Sequence, residues 1–273
     1  MKLPQGIGCL EDLQTLCSIE AHEERGAVNE LEKLRQLRML YISNLTIETG
    51  KDLCAVIEKM KCLEYLELSS ISEHEISDLE CISSPPYLLR FLSLRGPLQK
   101  LPCWISMLHN LLEIWLFHSK LLDDQIRSLY SLTNLQKLYL YRAYEGEKFH
   151  LEEGGFQRLK LLKIKNHDRL KEVQIDRGAM PCLQTLSMWG GLLREVPSGI
   201  QHLTNLKTLR FFDLPEEFVS SLKPYGGQDY WKVMHVPSVT FWKTIFGNPD
   251  VFVGNLRESD PINMCYAYHP KPV

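Results

Sequence analysis

The stretch Leu132-Thr133-Asn134-Leu135-Gln136-Lys137-Leu138-Tyr139-Leu140 spaces its leucines as L-x-x-L-x-x-L-x-L. In extended backbone successive side chains point to opposite faces, so Leu138 and Leu140 share one face and Tyr139 takes the other. The same spacing recurs in nine copies, marked at their second position by Leu13, Leu37, Leu63, Leu89, Leu111, Leu135, Leu159, Leu183 and Leu206. The steps between markers stay within 22 to 26 residues. A single short strand of this kind cannot bury its apolar face, whereas stacked copies bury it against one another.

That period is the one leucine-rich repeats use, and it predicts an α/β leucine-rich-repeat solenoid, or horseshoe, with one parallel concave sheet. The return legs repeat as well. Leu3-Pro4 with Ile7 and Leu10, Leu101-Pro102 with Ile105 and Leu108, and Val196-Pro197 with Ile200 and Leu203 share L/V-P-x-x-I-x-x-L. An apolar spacing of three after a proline suits a short helical or 3₁₀ turn, so short irregular helices or turns are expected on the convex side. Only one leucine, Leu256, follows residue 222. About nine repeats are therefore expected over 1–222, a C-terminal cap over 223–240 and an irregular or disordered tail over 241–273.

Composition narrows the function. The 273 residues are 44% hydrophobic and 24% charged, with a net charge of −3. A near-neutral chain without a basic tail lacks the field that nucleic-acid and anionic-membrane binders need. The N-terminus has no apolar signal core, and no run is long and apolar enough for a membrane span, which reads as a cytoplasmic protein. The eight cysteines form no C-x-x-C and are expected to be reduced and mostly buried. H-E-x-x-H and G-x-S-x-G motifs are absent, so neither a metal, a cofactor nor an enzymatic activity is expected. Glu23-Glu24-Arg25 and Asp123-Asp124 read as solvated loop charges, and Asn44-Leu45-Thr46 as a chance glycosylation pattern.

Two longer phrases carry a family likeness. Gly178-Ala179-Met180-Pro181-Cys182-Leu183-Gln184-Thr185-Leu186 and Leu193-Arg194-Glu195-Val196-Pro197-Ser198-Gly199-Ile200 resemble the repeat domain of plant coiled-coil nucleotide-binding leucine-rich-repeat (NLR) disease-resistance proteins. Asp229-Tyr230-Trp231-Lys232-Val233 is similar to the ending of some members. The resemblance implies a protein-binding module of an intracellular plant immune receptor, active in defence and recognising a pathogen effector, a host guardee or a receptor domain. The chain departs from the family in having no G-x-x-x-x-G-K-[ST] phosphate loop, Gly50-Lys51 being a fragment only. With Met1 inside a repeat, the expectation is a truncated member. A stand-alone intracellular scaffold or adaptor in signalling is the alternative.

The strand phase also identifies the outward residues. Between the two inward positions stand Cys17, Tyr41, Glu67, Ser93, Trp115, Tyr139, Lys163, Ser187 and Arg210. One outward step further come Ile19, Ser43, Ser69, Arg95, Phe117, Tyr141, Lys165, Trp189 and Phe212. Neighbouring strands lie about 4.8 Å apart, so Trp115, Tyr139 and Lys163 are expected in one ladder and Phe117, Tyr141, Lys165, Trp189 and Phe212 in the next. With His118 and Arg142 alongside, these residues and Arg210 form the expected partner-binding patch of repeats five to nine, against a quieter face in the first four, where Ser43, Asn44, Ser69, Ser70 and Ser93 are interrupted by Tyr41, Tyr65 and Phe91. Clustered Trp, Tyr and Arg suit an interface, while large side chains also brace a sheet by cross-strand contact.

Overall fold

The computed structural model of the protein describes residues 6–21, 27–71, 79–98, 100–165, 167–190, 192–245 and 248–256. The chain divides into two compact units, Met1–Tyr144 and Glu145–Val273.

In the first unit six strands, β1 (Thr15–Glu20), β2 (Met39–Leu45), β3 (Tyr65–Ser70), β4 (Phe91–Arg95), β5 (Glu113–Phe117) and β6 (Lys137–Tyr141), pair in sequence order, each parallel to the next. From β3 to β6 the register is residue for residue: Leu66, Leu92, Ile114 and Leu138 stand opposite one another, as do Leu68, Leu94, Leu116 and Leu140. All eight are buried, together with the markers Leu37, Leu63, Leu89, Leu111 and Leu135. Burying one such side chain contributes about 1.5–3 kcal/mol, and the regular step repeats that gain in every rung.

The first rung breaks the phase. β1 carries a bulge between Leu16 and Ile19, so Ile19 pairs with Ile42 and is buried. The expectation that Ile19 faces outward is thereby corrected, because one inserted residue flips every later side chain of the strand.

Return legs are short 3₁₀ turns such as Cys103–Met107 and short helices, among them an eleven-residue helix over Ile47–Ile57. Thr46 caps that helix reciprocally with Thr49, its Oγ1 accepting from the Thr49 N–H at 3.3 Å and its own N–H donating to Thr49 Oγ1 at 2.9 Å. The hydroxyl of the Asn44-Leu45-Thr46 pattern thus serves as a helix cap, and Gly50 lies buried within the helix. Asp123 and Asp124 open another helix, Asp123–Ser128, where the Tyr144 hydroxyl donates to Asp123. Glu23, Glu24 and Arg25 lie outside the described residues.

The cysteines differ from expectation. Cys54, inside the Ile47–Ile57 helix, is bonded to Cys81, because stacking brings successive return legs together however far apart they are in sequence. Cys9, Cys17, Cys103 and Cys182 are exposed rather than buried, and Cys62 is half-buried.

The second unit holds a two-stranded parallel ladder of β7 (Lys148–Leu151) and β9 (Glu172–Ile175), and a sheet of β8 (Leu161–Lys165), β10 (Thr185–Trp189), β11 (Thr208–Phe212), β12 (Ser238–Ile245) and β13 (Asn248–Asn255). β8, β10, β11 and β12 are parallel, and β13 returns antiparallel to β12. Here two return legs are strands instead of turns. Lys148-Phe149-His150-Leu151 and Glu172-Val173-Gln174-Ile175 alternate with period two, and their Phe149, Leu151, Val173 and Ile175 are buried. In β12, Val239 stands opposite Leu209 and Phe241 opposite Phe211, both buried, so the ladder gains a further rung within 238–245. This corrects the boundary drawn at 222 and the irregular tail drawn from 241; residues 257–273 lie outside the described residues.

Two local devices fix the rungs. Gly178 (φ 91°) and Met180 (φ 45°) hold left-handed backbone, which gives the Gly178–Leu186 phrase its physical meaning as a sharp turn into β10. Asparagine amides tie three of the rungs to the one before: Asn110 Nδ2 donates to the Tyr87 carbonyl at 2.8 Å, Asn134 to that of His109 at 2.7 Å and Asn205 to that of Pro181 at 2.7 Å.

Candidate functional site

Strand alternation places every residue of the expected patch that lies on a strand on the open face within its own unit. In the first unit Trp115 stands opposite Tyr139 and Phe117 opposite Tyr141, all four half-buried. The Trp115 and Tyr139 rings lie 4.7 Å apart and the Phe117 and Tyr141 rings 5.8 Å apart. His118 follows β5 with its ring 5.3 Å from that of Tyr141. His118 and Arg142 both adopt left-handed backbone, φ 55° and 46°, at the ends of their strands, and Arg142 is exposed.

Two partners of Trp115, and a third residue stacked beyond them, extend this cluster past the expected residues. The indole N–H donates to Glu113 Oε1 at 2.7 Å, the Phe91 ring lies 5.5 Å away edge-on, and Tyr65 stacks on Phe91 at 3.9 Å. Two of the aromatics that interrupt the quieter earlier face thus belong to this cluster, and its run of ring contacts begins at Tyr65. Residues one before and one after an inward apolar residue share a face, so Glu113, one position before Ile114, was findable by the same count that places Tyr65 and Phe91. Arg95 adds a guanidinium 4.3 Å above the Phe117 ring.

The electrostatics follow from this crowding. Burial, then the Glu67 carboxylate, pushes the Tyr65 phenol up to about 12. Burial and then Glu113 push Tyr139 up as well. Glu113 accepts from Lys137 Nζ at 3.0 Å and holds that ammonium above its usual range.

In the second unit Lys163, Ser187 and Arg210 stand opposite one another on β8, β10 and β11, and Thr240 on β12 follows. Lys165 Nζ sits 5.0 Å from the Trp189 ring centroid. Trp189 stacks on Phe212 at 3.8 Å, and Phe212 on Trp242 at 5.8 Å. Phe212 faces outward yet is only 6% exposed, enclosed by the two indoles. Trp242 was missed because the leucine pattern no longer marks its strand.

Chemically these faces offer aromatic edges, cations and hydroxyls, the equipment of recognition. Among the described residues no group of three or more His, Cys, Asp or Glu could hold a metal ion, and no helix is long and apolar enough to cross a membrane. His150 and Asp176 pair at 2.9 Å on the β7/β9 side, and His150, then Gln174, keep the Asp176 carboxyl low.

The inward leucines, the parallel strands and the inter-rung asparagines define a leucine-rich-repeat protein, and the chain belongs to that family: the model of the leucine-rich repeat region matches residues 1–212. Its repeats are similar to those of disease-resistance proteins of Arabidopsis thaliana. Disease resistance protein RPM1 is 34% identical over 84% of this chain and 24% of its own length. Probable disease resistance RPP8-like protein 2 is 30% identical over 86% of this chain and 26% of its own. The chain thus spans about a quarter of the length of these relatives. Among solved structures, that titled "Crystal structure of TLR13-ssRNA13 complex" aligns over 88% of this chain and 37% of its own, at 16% identity and a TM-score of 0.48.

Proposed function

We propose that this chain is the protein-binding leucine-rich-repeat module of an intracellular plant immune receptor, recognising pathogen effector or host proteins in defence. The observation that carries the reading is the half-exposed aromatic run Tyr65, Phe91, Trp115 and Tyr139 along the open face of the first unit. Aromatic clusters with adjacent arginine dominate interface energetics, because they bury large rigid areas at small entropic cost. Phe117, His118, Tyr141 and Arg142 complete that face. Lys163, Lys165, Trp189, Arg210 and Phe212 serve in the second unit, Phe212 by bracing the two indoles.

The likeness to disease-resistance proteins supports defence as the setting and the cytoplasm as the place. Binding needs neither a cofactor nor a catalytic group. The test is a pull-down from plant tissue with the parent and a Trp115→Ala/Tyr139→Ala pair, both checked for folding by circular dichroism. The pair is expected to lose proteins that the parent retains, and an unchanged set contradicts the reading.

A further inference from the structure

The open face of the second unit differs in charge from that of the first. β1, β3 and β5 carry Glu20, Glu67 and Glu113. By contrast β8, β10, β11 and β12 contain no acidic residue at all, and their open faces carry Lys163, Lys165 and Arg210. This runs against the chain as a whole, whose net charge is −3, so the basic character is local to these strands.

Within that field lies an unsatisfied hydroxyl. Ser187 is 0% exposed, and its Oγ has no hydrogen-bond partner. Its neighbours in register are Lys163 on one side and Arg210 on the other. A buried hydroxyl without a partner carries a desolvation penalty that a leucine-rich-repeat rung has no need to accept, since alanine fits the same place. Ser93 is a natural comparison: equally buried and equally unpartnered, it stands between Glu67 and Trp115 and has no flanking cation.

Resting on the binding function proposed above, the geometry points to an anion notch formed by Lys163, Ser187 and Arg210, which takes a carboxylate from an acidic, apolar-flanked segment of a protein partner. The carboxylate meets the ammonium and guanidinium first. Their flexible stems then part, and the Ser187 hydroxyl donates the hydrogen bond it lacks in the free protein. Thr185, Thr208 and Thr240 surround the notch with further donors, and Trp189, braced from behind by Phe212, gives the segment's apolar side chain a surface. A polypeptide fits better than a nucleic acid because the cations form one short row, without the extended basic track a phosphate backbone requires.

The experiment measures fluorescence anisotropy of a fluorescein-labelled peptide of alternating Glu and Leu residues, titrated with the full chain at low salt. An alternating Lys and Leu peptide and labelled oligothymidylate are the comparison probes. The Glu/Leu peptide is expected to bind, the Lys/Leu peptide not to, and oligothymidylate to bind more weakly. A Lys163→Gln/Arg210→Gln pair is expected to weaken peptide binding about five- to tenfold, in line with two partly exposed charge pairs. An Arg177→Gln/Arg194→Gln pair, removing the same charge from exposed positions outside the strands, is expected to leave it unchanged.

Ser187→Ala is expected to weaken binding without lowering the urea midpoint. The notch is overturned by absent binding of the Glu/Leu peptide, by equal effects of the two charge pairs, by oligothymidylate binding as tightly as the peptide, or by a Ser187→Ala change that lowers stability and leaves binding intact. If those results occur while the Trp115→Ala/Tyr139→Ala pair still loses its plant proteins, the binding reading stands and the notch alone falls.

Discussion

The Trp115 indole N–H donates to the Glu113 carboxylate at 2.7 Å, across a single intervening inward residue, Ile114. The same carboxylate accepts from Lys137 on the next strand at 3.0 Å. Glu113 therefore fixes the ring that occupies the middle of the first unit's open face, as a polar tip directs a buried-body aromatic. Glu113→Ala is expected to free the Trp115 ring and to cost about 0.5–1.5 kcal/mol, the net worth of such a bond. It also removes a charge that raises the Tyr139 phenol, whose ionisation should move back toward its ordinary range. Indole NMR line widths and an ultraviolet phenolate titration read the two effects, and an unmoved Trp115 resonance contradicts the first.

Ser93 and its neighbour Leu92 are both 0% exposed, but on opposite faces of β4. Leu92→Ala leaves a cavity between rungs and is expected to cost about 2–5 kcal/mol. Ser93→Ala deletes a hydroxyl with no partner and is expected to be neutral or to stabilise by up to about 1 kcal/mol. Urea denaturation of the two variants separates them, and a loss at Ser93 matching that at Leu92 is the contrary result.

Alkaline pH should loosen the first unit. An unfolded tyrosine ionises near pH 10, while Tyr65 in the fold keeps its proton until about 12, first through burial and then through Glu67. A group whose folded pKa is raised stabilises fully below its unfolded pKa, and the contribution disappears as pH climbs through the folded value. Stability is therefore expected to fall between about pH 10 and 12, with Tyr139 and Tyr144 shifted in the same direction. Tyr65→Phe should flatten that slope in urea melts taken across the window, and an identical slope contradicts the assignment.

Two glycines share a left-handed backbone at the start of a 3₁₀ turn, Gly6 at φ 81° and Gly199 at φ 82°. A Cβ at Gly6 meets nothing within 4 Å, whereas one at Gly199 collides with the Ile175 carbonyl. Gly6→Ala is expected to cost about 1–2 kcal/mol from conformation alone. Gly199→Ala must in addition move β9 away from the turn and should cost clearly more. Thermal melts of both variants test the ordering, and equal losses contradict it.

The repeat phase was legible because each rung announces it with buried leucines at fixed spacing, and from Leu66 to Leu140 the structure follows that spacing residue for residue. Ile19 was misread because a bulge leaves the composition of its strand unchanged while reversing its faces. The rung at Val239 and Phe241 escaped notice since it fills the inward positions with other apolar residues, so the leucine signature ends before the sheet does. Stacking contacts such as Cys54 with Cys81 depend on which return legs meet, and a period alone does not specify them. The placement of Trp115 and Tyr139 was readable; the contribution of Tyr65, Phe91 and Glu113 became visible once neighbouring strands were laid side by side.

Site-specific photo-crosslinking in plant tissue tests the claim of a protein-binding open face most directly. A benzophenone amino acid replaces Trp115 or Tyr139 and, for comparison, Tyr225, which is 97% exposed and lies outside the strands. The account predicts discrete protein adducts from positions 115 and 139 and none of the same mass from 225. Adducts from 225 alone, or the same adducts from all three positions, would contradict it.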